Sequence, residues 1–344
     1  MGWNDAVGAM ERCANGVLLV LPFFLWGTNM VVMEEVMPKT GAMFVAVARL
    51  IPAGALIVVF ASLGGKKFPS GARAWSSIAL FGLINGALFQ VCLVEGLSRT
   101  TAGIGSVIID SQPLTVAVLA AVLYGELLGP KSIIALAFGI LGIFLIEVPV
   151  AELQSLLHPA SATNTPPLNS NEKWSIWDSG EWWMLLAAQS MAIGTIMMRW
   201  VSKFSDSLMV IGWHMVLGGV PVLALSIWKQ DPGVTGHLKD LDLVDWACLF
   251  YVSVFGSAIA FGLFFYSATR GSLTELSSLT LLTPVFATIF GYLLRNETFT
   301  GLKLVGAFIT LVSICFVKVE KPKEIEGQEL NKTKYEALPV DTIP

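Results

Sequence analysis

The sequence is short of charge, and this excludes most water-soluble folds. Only 13% of its 344 residues are charged, whereas typical soluble domains carry about 25%. Hydrophobic residues make up 55% of the chain and the mean hydropathy is +0.71, so there are too few polar side chains to cover a surface in water. Because apolar runs of membrane-spanning length recur along the chain, the composition predicts an integral multi-pass membrane protein.

Cysteine and basic residues are also scarce, which excludes several kinds of site. The four cysteines lie far apart without CxxC or metal-binding spacing, and this pattern indicates small apolar packing residues. The sequence has no HExxH motif and no His/Cys/carboxylate cluster, and no nucleophile–base or paired-aspartate motif of an intramembrane enzyme. The net charge of −4 argues against a nucleic-acid partner. We therefore expect no enzymatic activity, no cofactor and no metal.

Ten apolar windows of about twenty residues predict ten transmembrane helices. They lie near residues 17–37, 41–62, 74–97, 101–123, 131–149, 182–201, 207–228, 243–267, 273–294 and 301–319. A polar segment rich in Pro, Ser, Thr and Asn separates two groups of five. We predict an all-α membrane protein composed of an N-terminal segment 1–16, a first repeat 17–149, a linker 150–181, a second repeat 182–319 and a disordered tail 320–344.

The two groups of helices share residues at a constant spacing. One shift along the chain aligns Arg99 with Arg270 and Pro113 with Pro284, and it also aligns Glu126 with 297, another glutamate. Because each group has an odd number of helices, the second group must enter the membrane in the opposite direction. The pattern therefore predicts two inverted five-helix repeats, a design in which transporters place their binding site at the repeat interface.

The distribution of basic residues predicts how the protein sits in its membrane. More Lys and Arg residues flank the side that holds both termini than flank the other side. The positive-inside rule therefore places both termini in the cytosol, or in the stroma of a plastid. Residues 1–16 lack the Ser- and Arg-rich character of a transit peptide, so no plastid leader is expected within this sequence.

Two charged residues within predicted helices are the first candidates for a functional site. Asp110 lies near the middle of the fourth helix, where an ionised aspartate costs about 2.5–3.5 kcal/mol. That cost implies a partner, a water-filled cavity or protonation, and it indicates either a substrate or proton site or a structural pair. Arg49 in the second helix is the candidate partner because its guanidinium does not readily lose its proton. Its position favours a structural clamp over direct substrate contact.

Further polar and aromatic residues inside apolar helices extend the candidate pathway. They are Trp26, Asn29, Asn85, Gln112, Gln189 and His214. A lone buried histidine is more often a packing residue than a proton carrier, and aromatic residues in apolar helices usually pack. Pro113 and its aligned partner Pro284 each remove a backbone donor, which predicts a kink in two helices. Such kinks serve either as gates or as structural features.

Longer segments resemble a known transporter family. The stretch "LWGTNMV", the stretch "ARLIPAG" and the pair "GELLGPKSIIALAFGILGIFLI" and "NETFTGLKLVGAFITLVSI" resemble the EamA repeats of the drug/metabolite transporter superfamily. The stretches "SVIIDSQPLTVAVLA" and "FYSATRGSLTELSSLTLLTP" resemble a plant "walls are thin"-related subgroup of chloroplast type. This resemblance implies ten helices in two inverted EamA repeats, with a central cavity that opens alternately to either side of the membrane.

From the residues and the resemblance together we expect a membrane transporter of a small organic metabolite that works by alternating access. If Asp110 titrates, it would couple the movement to protons. A passive channel or a lipid scramblase that uses the same cavity is the alternative. The expected partners are the metabolite and the lipid bilayer, and the resemblance implies the chloroplast envelope as the membrane. The sequence leaves the substrate and the oligomeric state open.

Overall fold

The computed structural model describes residues 3–148, 176–295 and 301–320. Within these ranges, nine helices are long and apolar enough to cross a membrane, and a shorter apolar helix follows them. In chain order the helices are α1 (Trp3–Thr40), α2 (Ala42–Leu63), α3 (Ala72–Leu97), α4 (Ala102–Ile109 and Gln112–Tyr124), α5 (Pro130–Glu147), α6 (Gly180–Val201), α7 (Ser207–Trp228), α8 (Leu243–Ala268), α9 (Leu273–Ser278 and Leu282–Arg295) and α10 (Gly301–Phe316). Single 3₁₀ turns precede α6 and α8, at Ile176–Asp178 and His237–Asp240.

The helix bounds follow the apolar windows closely, with differences at the two ends of the chain. Helix α1 begins at Trp3 rather than near residue 17, because the residues before the apolar window contain no proline and continue the helix. Helix α10 has 16 residues, fewer than the roughly 20 needed to cross a bilayer. The predicted linker before residue 176, the tail after residue 320 and the aligned glutamate at 297 lie outside the described residues.

A two-residue antiparallel pair departs from the predicted all-α fold. Leu127–Leu128, between α4 and α5, pairs with Val319–Glu320 after α10. Gly129 and Pro130 follow the first of these strands and end it before α5 begins. The pairing gives hydrogen-bond partners to backbone groups that lie outside the helices. The pair thus joins the segment after the fourth helix to the end of the described chain, and the fold is otherwise helical over the described ranges.

Helices of the first half pack mainly against helices of the second half. Helix α2 packs against α7, α5 against α10, and the start of α9 against α4. The remaining contacts come in pairs that are related by exchanging the two halves, in which α1, α3 and α4 correspond to α6, α8 and α9. Helix α1 packs against α8 as α6 packs against α3, and α1 packs against α9 as α6 packs against α4. The bundle interior therefore lies between the two halves rather than within each of them.

Glycines allow the tightest of these helix crossings. A Cβ added at Gly54 of α2 would lie 2.6 Å from the carbonyl oxygen of Gly212 in α7, and a Cβ at Gly306 of α10 would lie 2.6 Å from that of Gly142 in α5. Small residues let helix backbones approach closely where the surrounding solvent is lipid. On the outside, large apolar side chains such as Val122, Phe138 and Phe308 are exposed, as a lipid-facing surface requires.

Contacts between the connecting segments define two ends of the bundle. We call the end of the bundle at which α1 begins the amino end. Its connecting segments are residues 64–71, 125–129, 202–206 and 269–272, and an ion pair between Lys66 and Asp206 lies there. The opposite end holds residues 98–101 and 229–242, where the N–H group of Gly233 donates to the Thr40 carbonyl over 2.8 Å. Each end therefore joins segments from both halves of the chain.

Candidate functional site

Helix α4 breaks at the residues that the sequence analysis marked. Its first segment ends at Ile109 with Asp110 as the capping residue, and its second segment begins with Gln112 and Pro113. Asp110 is buried, and its carboxylate forms no hydrogen bond or ion pair with any residue that the structure describes. The Oε1 atom of Gln112 is also buried without a hydrogen-bond partner there. The break therefore gathers two polar groups whose bonding capacity is unused.

Helix α9 is interrupted at the aligned position. A 3₁₀ turn at Leu279–Leu281 separates its two segments, and Pro284 follows at the third residue of the second segment. The hydroxyl of Thr283 is buried without a hydrogen-bond partner among the described residues. Both prolines thus lie directly after an interruption of their helix, since proline at the first turn of a helix needs no backbone donor. Whether these interruptions act as gates stays a prediction.

Arg49 does not pair with Asp110 in the structure. Its Nε donates to Ser257 Oγ in α8 over 3.3 Å, and its Nη1 contacts Met33 Sδ in α1 over 3.6 Å. Asn29, one turn before Met33, donates from Nδ2 to the same sulfur over 3.2 Å. The guanidinium therefore belongs to a cluster formed by α1, α2 and α8, which we call the Arg49 cluster and define as Asn29, Met33, Arg49 and Ser257.

Aromatic rings form one wall of the Arg49 cluster. The guanidinium carbon of Arg49 lies 5.9 Å from the ring centroid of Phe261 in α8, and that ring lies 5.0 Å from the ring of Trp26. The indole Nε1 of Trp26 is buried without a hydrogen-bond partner among the described residues. The structure thus brings three predicted residues together at this cluster: Trp26, Asn29 and Arg49.

A π-helical turn positions Ser257 beside Arg49. Residues Val254–Ile259 of α8 form this turn, and the Ser257 hydroxyl donates to the Val252 carbonyl over 2.9 Å. Gly256 allows the close packing of the Asn29 amide, since a Cβ there would lie 2.2 Å from Asn29 Oδ1. Asn29 Oδ1 has no hydrogen-bond partner within the described ranges. π-Helical turns interrupt regular helices and are frequent at functional sites.

The first half of the chain contains a related arrangement without a charge. Helix α3 is π-helical over Gly82–Leu88, and the buried Asn85 in this turn donates to Met191 Sδ in α6 over 3.5 Å. A Cβ on Gly194 of α6 would lie 2.1 Å from the Asn85 amide. Asparagine and glycine thus exchange places between the two interfaces, and both asparagines donate to a methionine sulfur.

The other two candidates have packing or partly exposed environments. His214 is buried in α7, where its ring stacks on Phe81 with 4.2 Å between ring centroids and its Nδ1 lies 3.3 Å from the Val210 carbonyl oxygen. These contacts are those of a packed histidine. Gln189 in α6 is half-buried and the structure gives no hydrogen bond for its side chain with a described residue.

A carboxylate closes the amino end across the two halves. Glu126 accepts hydrogen bonds from the N–H groups of Leu273 and Thr274 at 3.0 and 3.1 Å and from the Ser272 hydroxyl at 2.9 Å. Arg199 Nη1 donates to the same carboxylate over 2.9 Å. We call these five residues the amino-end clamp. A carboxylate at the N-terminus of α9 is also favoured by the helix dipole.

The environment of Glu126 keeps it ionised. Burial raises the pKa of this carboxyl, but the hydrogen bonds from Leu273, Thr274 and Ser272 outweigh burial and hold the pKa below its ordinary value. Arg199 adds contacts to the carbonyl oxygens of Ala268, at 2.9 Å, and Gly271. The clamp therefore fixes the α8–α9 connection to the end of α4 through charge-assisted bonds.

The opposite end has two ion pairs between the halves. Glu95 of α3 pairs with Lys229 at the end of α7 and with Arg99 in its own half. Lys39 of α1 pairs with the buried Asp245 of α8 over 2.6 Å. We call the contact between Glu95 and Lys229 the opposite-end pair. Neither this pair nor the amino-end clamp is predicted by the sequence, because the partners lie on different helices and their contact depends on the packing of the halves.

An apolar groove on the outside of the bundle does not coincide with the polar residues. It lies between α5 and α10 and is lined mainly by apolar side chains such as Ile134, Phe138 and Phe308. Over the described ranges, no group of three or more His, Cys, Asp or Glu residues is placed to hold a metal ion. The polar chemistry of the protein therefore lies at the α4 break, in the Arg49 cluster and at the two ends.

Sequence comparison identifies the family to which these features belong. The family model described as the EamA-like transporter family matches residues 15–148 and 178–319. The chain belongs to the EamA-like transporter family. It is an integral membrane protein and a membrane transporter.

Relatives of this EamA protein are found in plants and bacteria. It is 56% identical over 87% of its length to a chloroplastic WAT1-related protein of Arabidopsis thaliana, of which it covers 68%. It is 43% identical to an uncharacterized transporter of Synechocystis sp., over 92% of this chain and 93% of that protein. A probable amino-acid metabolite efflux pump of Salmonella typhimurium is 23% identical over 87% of this chain and 93% of the pump.

A solved structure supports the fold at low sequence identity. That crystal structure matches with a TM-score of 0.67 at 12% identity and covers 88% of this chain and 96% of its own. The similarity therefore concerns the arrangement of the helices.

Proposed function

We propose that this protein moves a small organic metabolite across its membrane by alternating access between two inverted five-helix repeats. The repeats are residues 17–149 and 182–319, joined by the linker 150–181, with all ten helices crossing the bilayer. The exchanged packing of α1 and α3 against α8 and α6 supports this proposal, because two halves related by a pseudo-twofold axis in the membrane plane pack in this manner.

The observation that carries the proposal is the set of buried polar groups with unused bonding capacity inside the bundle. Asp110 and Arg49 are buried charges, and neither forms an ion pair with a described residue. The buried amide oxygens of Asn29 and Gln112 have no hydrogen-bond partner among the described residues. Buried polar groups of this kind are expensive in a membrane and mark substrate and ion pathways. A structural bundle would gain stability by replacing them with apolar residues.

Alternating access requires contacts that close each end in turn. The amino-end clamp and the opposite-end pair each join the first half to the second, so a rocking motion of the halves would break one while keeping the other. The interruptions before Pro113 and Pro284 supply the points at which α4 and α9 bend. We assign Asp110 as the residue that would couple this motion to protons.

The test is uptake by proteoliposomes that contain the purified full-length chain. The vesicles receive a ¹³C-labelled metabolite extract, and the retained compounds are identified by mass spectrometry. Saturable uptake that is accelerated by the same compound on the other side supports the proposal. Flux that neither saturates nor responds to compound on the other side indicates a passive channel or scramblase instead.

A substitution at Asp110 tests proton coupling separately. Asp110→Asn keeps the size of the side chain but cannot ionise, so uptake by this variant should lose its dependence on a pH gradient. Asp240→Asn is the matched control, because Asp240 is exposed in the 3₁₀ turn before α8 and forms no ion pair with a described residue. Unchanged uptake and pH dependence in correctly folded Asp110→Asn would contradict the assignment of Asp110.

The membrane of residence is a separate part of the proposal. We assign the protein to the chloroplast envelope, because the Arabidopsis relative with 56% identity is named as chloroplastic. Immunodetection of the endogenous protein in purified envelope fractions tests this assignment. Its recovery in plasma-membrane or vacuolar fractions alone would contradict it.

A further inference from the structure

We infer that the Arg49 cluster binds a carboxylate group of the transported metabolite, so that the substrate is a small monocarboxylate with an apolar body. This inference rests on the proposed transport function and assigns the chemical class of its substrate. It follows from three features of the described residues: a buried cation, a weak acceptor shared by two strong donors, and an aromatic wall.

The buried cation lacks the partner that such a charge requires. Arg49 offers five N–H donors, but its polar contacts within the described ranges are Ser257 Oγ at 3.3 Å and Met33 Sδ at 3.6 Å. No carboxylate from the described residues forms an ion pair with it. A buried charge without an opposite charge is strongly destabilising. A ligand that brings a carboxylate would remove this cost.

The position of the missing anion is marked by Met33. Its thioether sulfur is contacted by two N–H donors, Arg49 Nη1 and, at 3.2 Å, Asn29 Nδ2. A thioether is a weak acceptor, whereas a carboxylate has two oxygens and about four acceptor sites. Two strong donors that converge on one weak acceptor form the geometry of an anion site. Because methionine is flexible, its side chain is able to move aside when a carboxylate takes over these donors.

The surroundings of the donors indicate the rest of the ligand. The rings of Phe261 and Trp26 lie beside Arg49, and they favour an apolar or aromatic body over a second charged group. The π-helical turn at Val254–Ile259 orients Ser257 toward the guanidinium. The ligand is therefore expected to carry one carboxylate and an uncharged body.

The second half of the chain does not repeat the cation. When Pro52 of α2 is aligned with Pro221 of α7, Gly218 occupies the position of Arg49. At the related interface, Asn85 donates to Met191 Sδ without any nearby arginine contact to that sulfur among the described residues. A charge needed only to join helices would be expected in both copies of the repeat. Its presence in one copy is what a single substrate-binding site requires.

The experiment compares carboxylates with their uncharged amides on the purified full-length protein. The probes are benzoate against benzamide, and butyrate against butyramide, with binding measured by isothermal titration and by thermal shift. The wild type should bind at least one carboxylate about 10- to 100-fold more tightly than its amide, as expected for a hydrogen-bonded charge pair. Equal affinity for carboxylate and amide in both pairs, or no binding of either carboxylate, overturns the inference.

Three variants separate binding from folding. Arg49→Gln should abolish the preference for the carboxylate, whereas Arg73→Gln, at an exposed arginine that packs on Phe204 at the amino end, should retain it. Met33→Leu conserves the side-chain volume and removes the competing acceptor, so carboxylate binding should tighten by about 2- to 5-fold. A gain of affinity does not arise from misfolding. A preference that persists in Arg49→Gln, or binding that weakens in Met33→Leu, overturns the inference.

Failure of this inference is distinguishable from failure of the transport proposal. If the proteoliposomes take up only metabolites without a carboxylate, the Arg49 inference is wrong and the transport proposal stands. If benzoate or butyrate binds through Arg49 but nothing in the ¹³C extract is transported, the site stands and the transport proposal is wrong.

Discussion

Replacing Glu126 by Gln should open the amino end of the transporter. The carboxylate accepts four hydrogen bonds that join α4 to Arg199 and to the start of α9. A glutamine keeps one acceptor oxygen, loses the charge and presents its NH₂ group to donors. The variant therefore loses the ion pair and at least one charge-assisted bond to the backbone of α9.

The size of this effect follows from the contacts. Hydrogen bonds to charged groups contribute about 1.5–3 kcal/mol each. Because the groups of the clamp are only partly exposed, we expect Glu126→Gln to destabilise the conformation with a closed amino end by about 2–3 kcal/mol. This loss corresponds to a shift of roughly 30- to 150-fold between the two forms. Glu95→Gln is the matched variant, because it weakens the opposite-end pair in the same manner and should shift the equilibrium in the other direction.

A native cysteine provides the assay. Cys92 is buried in α3, less than one turn from Glu95, so its alkylation reports opening of the opposite end. With the other three cysteines replaced by serine, a thiol reagent should label Cys92 faster than the parent in Glu95→Gln and more slowly in Glu126→Gln. Labelling that rises in both variants indicates general loosening, and labelling that changes in neither refutes the role of the two contacts as closures.

Further consequences concern stability and packing. The folded pKa of Glu126 lies below its ordinary value of 4.5, so the stability that its carboxylate contributes is present above about pH 4.5 and is lost as the pH falls through the lower folded pKa. The difference in unfolding temperature between wild type and Glu126→Gln should therefore be constant near neutral pH and shrink below pH 4.5. A difference that grows on acidification would contradict this sign. Gly306→Val should lower the unfolding temperature by overpacking worth about 1–3 kcal/mol against Gly142, whereas Gly301→Val, where a Cβ meets no atom within 4 Å, should have little effect. A comparable loss in both glycine variants would show that the close approach of α5 and α10 is not the cause.

The sequence determines the helices of this protein more fully than their contacts. Continuous apolar windows predict α2 and α7 to within a residue or two of their observed bounds, because a helix in lipid must satisfy its own backbone. The proline alignment predicts the interruptions of α4 and α9. The helical start of α1 at Trp3 was missed, since the polar residues there form a helix without a hydrophobic signal.

The contacts of the candidate site were harder to predict. Arg49 is the candidate partner of Asp110 in the sequence because both are charged residues inside predicted helices, but depth in the membrane does not determine the direction in which a side chain points. Met33 and Ser257 gave no signal, since methionine and serine are ordinary residues in membrane helices. Glu126 was noticed through its alignment with residue 297, but its partner Arg199 depends on how the halves pack.

The central claim is that the halves alternate around the bundle interior, and a reversible cross-link at the amino end tests it most directly. Lys66→Cys and Asp206→Cys, which replace an ion pair of 3.0 Å between the halves at the amino end and leave the amino-end clamp intact, are joined by a reducible methanethiosulfonate cross-linker in a chain without its native cysteines. Uptake of the ¹³C extract is measured before and after reduction. The account predicts uptake in the uncross-linked double variant, its loss after cross-linking and its recovery with reductant. Uptake at the same rate in the cross-linked protein would contradict alternating access.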